Sequence, residues 1–502
     1  MKILIVAMRE YFLCSLIDEA ISLNKEGHEV YFLYNNCSIG VCSYGIDQNS
    51  YVCELCRRKM RKAINLLPKD IKKINIAEYW EDNKEYHYEY KNAQDIKSIE
   101  YKNVKVGYAV MSSYISRTRN LQPLINESSK KYFDLLISTT CRLTDALEHA
   151  IDTIQPDKIY HWNARFMEYR PAYDLAKARN IEIVCVDNAK DKNGNNRKEK
   201  FINHTSHDIK GLQKRCDALW ENVSLSNEEK IAIGKSFYER RRAGLRTNDK
   251  VYIGNQEEGQ LPKDWDVKKK NIVIFNSSED EFSAIGDEYD SYALFPSQYR
   301  GIHFILDSLK NQPDIHVYLR IHPNLAEIPY RYHTELMELP AIYKNLTVIP
   351  GKDSVSTYAL MDAAEKVVVF GSTMGAEASY WRKPVILLAG AYYYYSDVCY
   401  VPKSKEELKT LLLQTLSPKD NTETVKWGFY KMYMDPAGYT KYVNIDSSWF
   451  KIWKFRFKNE YYLKLFGSSK LYAVYLHLVT RKARRKLHKL DIPIEEDKNA
   501  EL

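Results

Sequence analysis

The sequence predicts an α/β protein with two Rossmann-like domains that face each other across a cleft, followed by a helical, basic tail. Short β-branched apolar runs alternate with helical patterns in both halves of the chain, which is typical of parallel sheets flanked by helices. The 502 residues exceed what one hydrophobic core normally serves. A polar run with Gly, Pro and charges separates the halves. We therefore expect a first domain at 1–255, a linker at 256–270, a second domain at 271–430 and the tail at 431–502.

The first domain begins with KILIVAM (2–8), a helical pattern that ends at Gly27, and the strand-like run VYFLY. Strand, helix and strand within about thirty-five residues form a βαβ unit, whose strands are parallel. The pattern predicts further strands at DLLIST (134–139), KIYHWN (158–163) and IEIVCVD (181–187).

The second domain repeats this alternation, and three of its strands end in polar loops. These loops contain Ser277 and Ser278, then Arg320 and His322, then Ser372 and Thr373. Because ligands of open α/β sheets bind beyond the carboxyl ends of the strands, we expect the three loops to hold the phosphates of a nucleotide. Glu377 follows the third loop by about one helical turn and is predicted to accept hydrogen bonds from ribose hydroxyls. Singly, each loop is more often an ordinary helix cap or turn.

The composition excludes several classes of protein. Hydrophobic residues make up 45% of the chain, which is typical of a globular protein. The longest uncharged apolar run, 384–396, is too short to span a bilayer. No signal peptide is expected at Met1–Met8, because the apolar stretch is short and runs directly into charged residues. We expect a cytoplasmic protein with reduced cysteines.

The net charge of +8 is concentrated near the C-terminus, where residues 451–490 contain twelve Lys or Arg and one acid. Aromatic residues alternate with these cations. This pattern favours docking on the anionic inner face of the cell membrane. Packing of the aromatic half against the first domain is the alternative, and no nucleic-acid partner is expected because no recognisable nucleic-acid module accompanies the charge.

A cysteine cluster lies in the first domain at 37–56, with the spacing C-x4-C-x10-C-x2-C. Its members are Cys37, Cys42, Cys53 and Cys56. Four thiolates at such spacing predict a structural zinc site, with an iron–sulfur cluster as the alternative. Four protein ligands leave no open coordination position. Because no convincing Asp-x-Asp site is found either, no catalytic metal is expected.

Candidate acceptor residues follow the strands of the first domain. The loop Arg9–Phe12 is expected to open into the cleft, with Glu10 as a general base that deprotonates an acceptor hydroxyl. Asn163, Arg165 and Arg170 are candidate ligands for an anionic sugar or a lipid-linked phosphate. The alternatives are a solvated loop carboxylate and ordinary helix-surface charges.

The motifs LRIHPN and FGSTMGAEA, together with FNSSEDEF, resemble those of GT-B glycosyltransferases of bacterial capsule and lipopolysaccharide synthesis. The resemblance covers about residues 270 to 390. It implies that His322 and the hydroxyl loop hold the donor phosphate, that Glu377 holds the ribose, and that the partners are a nucleotide-sugar donor and a glycan or lipid-linked acceptor. It leaves the donor base undecided.

The sequence as a whole therefore predicts a glycosyltransferase with metal-independent chemistry, with Glu10 and His322 as catalytic residues. Inversion is favoured because the first loop supplies a base rather than a nucleophile. The alternatives are a nucleotide-sugar 2-epimerase of the same fold, which would need no acceptor, and a non-catalytic nucleotide-sugar-binding scaffold.

Overall fold

The computed structural model describes residues 1–10, 13–81, 83–191, 193, 196–247, 249, 251–433, 438–443, 449–452, 455–458 and 490–502. Two separate sheets with parallel strands confirm the predicted α/β class and its two Rossmann-like domains.

The first domain contains a six-stranded sheet in the order β3-β2-β1-β4-β5-β6. Its strands are β1 (Lys2–Ala7), β2 (Glu29–Tyr34), β3 (Lys72–Asn75), β4 (Lys158–His161), β5 (Glu182–Lys190) and β6 (Asn196–Ile202). The helices before the linker are α1 (Leu13–Lys25), α2 (Ser50–Ile64), α3 (Ala93–Lys97), α4 (Val106–Thr118), α5 (Glu127–Ile154), α6 (Arg170–Ala178), α7 (Ile209–Asn222) and α8 (Asn227–Arg242). The first five strands pair in parallel, and β6 pairs antiparallel to β5. The strand order reverses between β1 and β4, which is where Rossmann-like sheets bind ligands.

Two features of the first domain differ from the prediction. DLLIST is not a strand but part of the 28-residue helix α5, whose first turn is capped by Asn126. A six-residue apolar run does not distinguish a strand from a buried helix, and here Phe133, Leu136, Ile137 and Thr140 face the core at helical spacing. The edge strand β6 was not predicted, because its sequence NRKEKFI alternates charges with few apolar residues.

The second domain contains a five-stranded parallel sheet in the order β11-β10-β7-β8-β9. Its strands are β7 (Lys270–Phe275), β8 (Ile315–Arg320), β9 (Leu346–Ile349), β10 (Lys366–Val369) and β11 (Val385–Leu387). Its helices are α9 (Asp287–Asp290), α10 (Gln298–Leu309), α11 (Arg331–Glu338), α12 (Thr357–Ala363), α13 (Met374–Tyr380), α14 (Lys405–Leu413) and α15 (Thr422–Met432). Alternate residues of β7 enter two apolar clusters, one on each face of the sheet.

Helix α8 precedes the linker but packs on α15 of the second domain. The two helices approach so closely that a Cβ atom on Gly428 would meet the carbonyl oxygen of Gly234 at 2.3 Å. This packing brings Arg241, at the end of α8, to the carboxyl edge of the second sheet, beside Glu377.

The tail at 431–502 was predicted to be helical. Its described parts include the end of α15, a hairpin of β12 (Trp449–Ile452) and β13 (Phe455–Lys458), and an extended segment, 490–502. The helical prediction for 459–489 stays a prediction, because these residues lie outside the described ones. The segment 490–502 contacts both domains, since the carbonyl of Pro493 accepts a bond from Tyr114 and Glu496 accepts bonds from the backbone N–H of Arg331. Among the described helices, none is long and apolar enough to cross a membrane.

Candidate nucleotide-sugar site

A cavity of about 270 Å³ lies at the carboxyl edge of the second sheet. The strand order reverses there between β7 and β10, so the loops after these strands diverge and leave a crevice. All three polar loops reach it, since the lining includes Ser277, Ser278, Arg320, His322, Gly371, Ser372 and Thr373. The structure thus brings the three loops together in one place.

His322 is held in a fixed orientation. Its backbone N–H donates to Oδ1 of Asn276 at 2.7 Å, and its Nδ1 accepts the backbone N–H of Asn324 at 3.2 Å. Tyr252 packs edge-on against the ring, with 5.2 Å between ring centroids. Because Nδ1 is an acceptor here, the neutral ring carries its proton on Nε2. The imidazole can therefore donate a hydrogen bond to a phosphate oxygen.

The loop Gly371–Thr373 requires a glycine at its first position. Gly371 has a φ of +82°, and a Cβ atom there would meet the carbonyl oxygen of Gly390 at 2.6 Å. The Ser372 hydroxyl accepts the backbone N–H of Met374 at 3.3 Å, whereas Thr373 makes no side-chain capping bond. Thr373 therefore offers a hydroxyl to a ligand, while Ser372 acts partly as a cap.

Ser277 and Arg320 have partners within the protein. The Ser277 hydroxyl donates to the carbonyl of Phe370 at 2.8 Å. Arg320 donates to the carbonyls of Pro350 and Asp353 at 2.9 and 3.1 Å. Both side chains are buried, and burial lowers the pKa of Arg320. They hold neighbouring loops in register, and Arg320 adds a positive charge to the wall of the cavity.

Ser278 is linked to the first domain through Arg119, which follows α4 in a left-handed conformation. The Arg119 guanidinium donates to the Ser278 hydroxyl at 2.8 Å, to Asp280 at 2.6 Å and to the Asn324 carbonyl at 2.7 Å. One side chain of the first domain thereby fixes the loops after β7 and β8 together.

Glu377 is buried, with 1% of its surface exposed, and lines the cavity. Its Oε1 accepts a bond from Arg241 at 3.0 Å and its Oε2 accepts one from the Tyr358 hydroxyl at 2.5 Å. The two partners hold the carboxylate in place and offset the cost of its burial. Each carboxylate oxygen retains capacity for a further hydrogen bond, such as one from a ribose hydroxyl.

Sequence reasoning assigned no role to Arg241, Tyr252, Glu281 or Tyr358, all of which line the cavity. Arg241 comes from the charged stretch YERRR, which carried no signal of a buried partner. Glu281 belongs to the SSEDE loop, and its Oε1 accepts a bond from Nδ2 of Asn324 at 2.9 Å. Burial of the carboxyl, followed by the charge of Asp280, raises the pKa of Glu281.

A second cavity, of about 660 Å³, lies between the domains. Asn163, Arg165 and Arg170 line it from the first domain, and residues 285–292 line it from the second. Arg165 donates to the carbonyl of Glu281 at 2.8 Å, and Arg170 donates to Asp174 at 2.8 Å and to the carbonyl of Ile285 at 3.0 Å. The loop after β7 therefore lies between the two cavities, and Arg165 and Arg170 of the first domain donate hydrogen bonds to its carbonyl groups.

Glu10 does not open into the cleft, contrary to the expectation of an accessible base. Only 2% of its surface is exposed, and its Oε2 lies 3.4 Å from Nζ of Lys59 on α2. Burial raises the pKa of Glu10. The cysteine loop closes over this region, because the Ser43 hydroxyl donates to Glu168, which also pairs with Arg9. The next two residues of the predicted loop, Tyr11 and Phe12, lie outside the described residues.

The four clustered cysteines line one small cavity under the same loop. The Cys37 thiol donates to the carbonyl of Cys53 at 3.2 Å, and the Cys42 sulfur accepts the backbone N–H of Gly45 at 3.3 Å. Within the described ranges, no three His, Cys, Asp or Glu side chains are arranged to hold a metal ion. The zinc site stays a prediction.

Comparison with known proteins gives several solved structures and one family. No curated protein matches the sequence. The Thermosulfurimonas dismutans β-Kdo 2,4-transferase KpsC is 12% identical, with 53% of this chain and 78% of that chain covered and a TM-score of 0.35. The UDP-GlcNAc 2-epimerase from Neisseria meningitidis is 10% identical, with 88% of this chain and 96% of that chain covered and a TM-score of 0.25. The spinosyn rhamnosyltransferase SpnG is 10% identical, with 86% and 94% covered and a TM-score of 0.21.

Residues 268–406 match the family described as capsule polysaccharide biosynthesis protein. The matched range begins just before β7 and includes all three loops of the 270 Å³ cavity. The second domain is therefore similar to the capsule polysaccharide biosynthesis proteins over this range, which confirms the resemblance to proteins of capsule synthesis that its motifs indicated.

Proposed function

We propose that the protein transfers a sugar from a nucleotide-sugar donor to a glycan or lipid-linked acceptor in the synthesis of a capsule- or O-antigen-type polysaccharide. The observation that carries this proposal is the convergence of three polar loops at the point where the strand order of the second sheet reverses. The family match covers the same loops. A site of this type suits a nucleotide with its phosphates against the loops.

The donor's phosphates would lie against His322 and the Gly371–Thr373 loop. The Nε2 proton of His322, the Thr373 hydroxyl and the backbone N–H groups of the loop supply donors, and the buried Arg320 supplies positive charge nearby. Such fixed donors stabilise the charge that develops on a departing nucleotide without requiring a metal. Glu377, held by Arg241 and Tyr358, would accept the ribose hydroxyls.

Glu281 is the carboxylate best placed to act on the sugar. It lines the donor cavity, and its loop continues into the second cavity. Its raised pKa brings it closer to the range in which a carboxylate serves as a general base. Glu10, the base that the sequence predicts, lies buried beside Lys59. The preference for inversion rested on Glu10, so the stereochemistry of the product has to be measured directly.

The acceptor would bind in the second cavity, where Asn163, Arg165 and Arg170 approach from the first domain. Arg165 contacts the carbonyl of Glu281, so a group bound by Arg165 would lie near the reactive carboxylate. In this proposal, donor and acceptor would approach the loop after β7 from its two sides.

The first experiment is a thermal-shift screen with CMP-, CDP-, UDP- and GDP-linked sugars, followed by transfer and hydrolysis assays with the donor that binds. We expect His322→Ala to weaken donor binding at least tenfold. Glu281→Gln should leave donor binding intact and reduce turnover by a factor of about 100 or more, as removal of a general base does. Lys344→Gln, at an exposed position away from both cavities, is the control.

Three outcomes would contradict the proposal. If no nucleotide sugar binds, the donor site is wrong. Conversion of the donor to its 2-epimer without an acceptor would identify an epimerase. Binding without any turnover, under conditions in which acceptors are supplied, would favour a non-catalytic scaffold. The anomeric configuration of the product, read by NMR, decides between inversion and retention.

Peripheral membrane association is a further part of the proposal and is supported by the sequence of the tail alone. Residues 459–489, which hold most of its cations, lie outside the described residues. Flotation with anionic liposomes should show weaker binding for a variant ending at Ser447 than for the full chain. If the two proteins float with the liposomes equally, membrane binding through the tail is wrong.

A further inference from the structure

The second cavity has features that point to a particular class of acceptor. This inference rests on the proposed function and deepens it by naming that class. The features are two buried polar atoms without partners, an excess of positive charge, and a row of tyrosines that leads from the cavity to the surface.

The unpartnered atoms belong to Asn163 and His207, which both line the cavity. Asn163 is 8% exposed, and its Oδ1 has no hydrogen-bond partner among the described residues. Nε2 of His207 is likewise buried without a partner, and burial lowers the pKa of His207 to about 3, so the ring is neutral. A buried polar atom without a partner is costly, and a ligand with hydroxyl groups would satisfy both atoms.

The charge of the cavity is positive once internal pairs are removed. Of the three described acids that line it, Asp287 pairs with Lys105 and Glu288 pairs with Lys177, whereas the backbone N–H that Asp208 accepts from Gly211 does not pair its charge. Arg165, Lys210 and Lys214 also line the cavity, and no described carboxylate lies within ion-pair distance of them. These three cations favour a ligand that carries negative charge.

The tyrosines form a continuous row. Tyr289 and Tyr292 line the cavity. The Tyr292 ring contacts Tyr394 and Tyr395, with centroid separations of 4.9 and 6.0 Å. Tyr395 is 45% exposed, and Nζ of Lys210 lies 5.7 Å from its ring centroid. The row therefore ends in one exposed ring, Tyr395, with the Lys210 cation beside it.

The row also adjoins the donor loop. The carbonyl of Gly390 accepts a bond from the Tyr289 hydroxyl at 3.1 Å. The same oxygen is the atom that a Cβ on Gly371 would meet at 2.6 Å. A ligand on the tyrosines and a ligand on the Gly371 loop would thus be separated by the chain segment at Gly390.

We propose that the second cavity and the tyrosine row bind the end of an acidic oligosaccharide, several sugar units long, as the acceptor. The C–H faces of sugar rings carry partial positive charge and complement the negative faces of aromatic rings. The three cations complement carboxylate or phosphodiester groups on the same chain. A single sugar bound in the cavity would not reach the part of the row outside it, Tyr394 and Tyr395, so the row favours an oligosaccharide.

The test is binding of the full-length protein to an array of oligosaccharides that are neutral, uronic-acid-containing, ulosonic-acid-containing or phosphodiester-linked. We expect binding to at least one acidic class, at least tenfold tighter than to neutral chains of equal length. The double variant Lys210→Glu/Lys214→Glu should reduce this binding at least tenfold, and Tyr395→Ala about threefold or more, since an aromatic contact at an exposed site contributes little above half a kcal/mol. Raising the salt concentration should weaken binding by wild type more than by the double variant.

Matched controls keep the test specific. Lys344→Glu changes an exposed lysine outside both cavities, and Tyr442→Ala removes a tyrosine of similar exposure, 43%. Both should bind like wild type. Donor binding, measured by thermal shift, should be unchanged in all four variants, and His322→Ala should lose donor binding while retaining the oligosaccharide.

Several results would overturn the inference. They are equal binding of neutral and acidic chains, no binding of any oligosaccharide, and tighter binding of anionic liposomes or single-stranded oligonucleotides through the same two lysines. If any of these occurs while the nucleotide-sugar shift persists, the acceptor class is wrong and the proposed transferase stands. If the donor shift is absent, the proposed function fails, whatever the array shows.

Discussion

Replacement of Arg241 by Met should destabilise the second domain through the carboxylate that it leaves behind. Arg241 and Glu377 are 6% and 1% exposed, and Nε of Arg241 lies 3.0 Å from Oε1 of Glu377. After the replacement, the hydrogen bond from Tyr358 at 2.5 Å still reaches Oε2, but no arginine compensates the charge. Leaving one member of a buried pair alone typically costs about 3 to 5 kcal/mol, and we take about 3 because Tyr358 remains.

For a folding unit of 150 to 250 residues, about 3 kcal/mol corresponds to a fall in Tm of about 6 to 12 °C. The assay is thermal unfolding together with urea titration, for wild type, Arg241→Met, Glu377→Gln and the double variant. The double variant should be more stable than Arg241→Met, because it no longer buries an unpaired carboxylate. Arg240→Met is the control, since that neighbour donates to the carbonyl of Arg246 and should change the Tm little. A double variant that is no more stable than Arg241→Met, or a fall below about 2 °C, would refute this reasoning.

Three further predictions concern other parts of the chain. Burial raises the pKa of Glu279 to about 7 from 4.5, so the folded state binds more protons and stability should fall as pH rises between these values. The free energy of unfolding of Glu279→Gln should therefore exceed that of wild type by about 1 to 2 kcal/mol at pH 8 and equal it at pH 4, after allowance for the partial exposure of Glu279. Thermal melts at both pH values measure this difference, and equal effects at the two pH values would contradict the prediction. Gly371→Ala should cost about 1 to 3 kcal/mol and abolish donor binding, because its φ of +82° and the nearby carbonyl exclude a Cβ atom, whereas Gly254→Ala, with open space around it, should be neutral. Elemental analysis of purified protein should find zinc that Cys53→Ser loses and Cys141→Ser keeps; wild-type protein without zinc or iron would remove the metal prediction.

The sequence was most informative where a strand leads directly into a polar loop. LRIHPN and FGSTMGAEA each pair a buried strand with the residues that follow it, so the parallel sheet alone places His322 and Thr373 at one edge. The same motifs also indicated the similarity to capsule-synthesis proteins that the match over 268–406 shows. These inferences needed no contact between distant segments.

The sequence was least informative where a side chain's role depends on a distant partner. Arg241 meets Glu377 because α8 packs on α15, and no periodicity in either helix specifies that contact. Arg119 reaches Ser278 and Asp280 across 159 and 161 positions of the chain. Glu10 was expected to be accessible because it follows a strand, but it is buried, with a side-chain hydrogen bond from Tyr44 of the cysteine loop. Each of these outcomes depends on how loops and helices dock, which local patterns do not encode.

The four hydrogen bonds that the Arg119 guanidinium donates have a consequence for the rate of the proposed transfer reaction. The guanidinium joins the first domain to two loops of the donor cavity at once. If spent nucleotide leaves by separation of the domains, all four bonds must break in the same event, and departure then becomes a slow, all-or-none step. Turnover would in that case be limited by product escape, and weakening this single side chain would speed the cycle while loosening the grip on the donor.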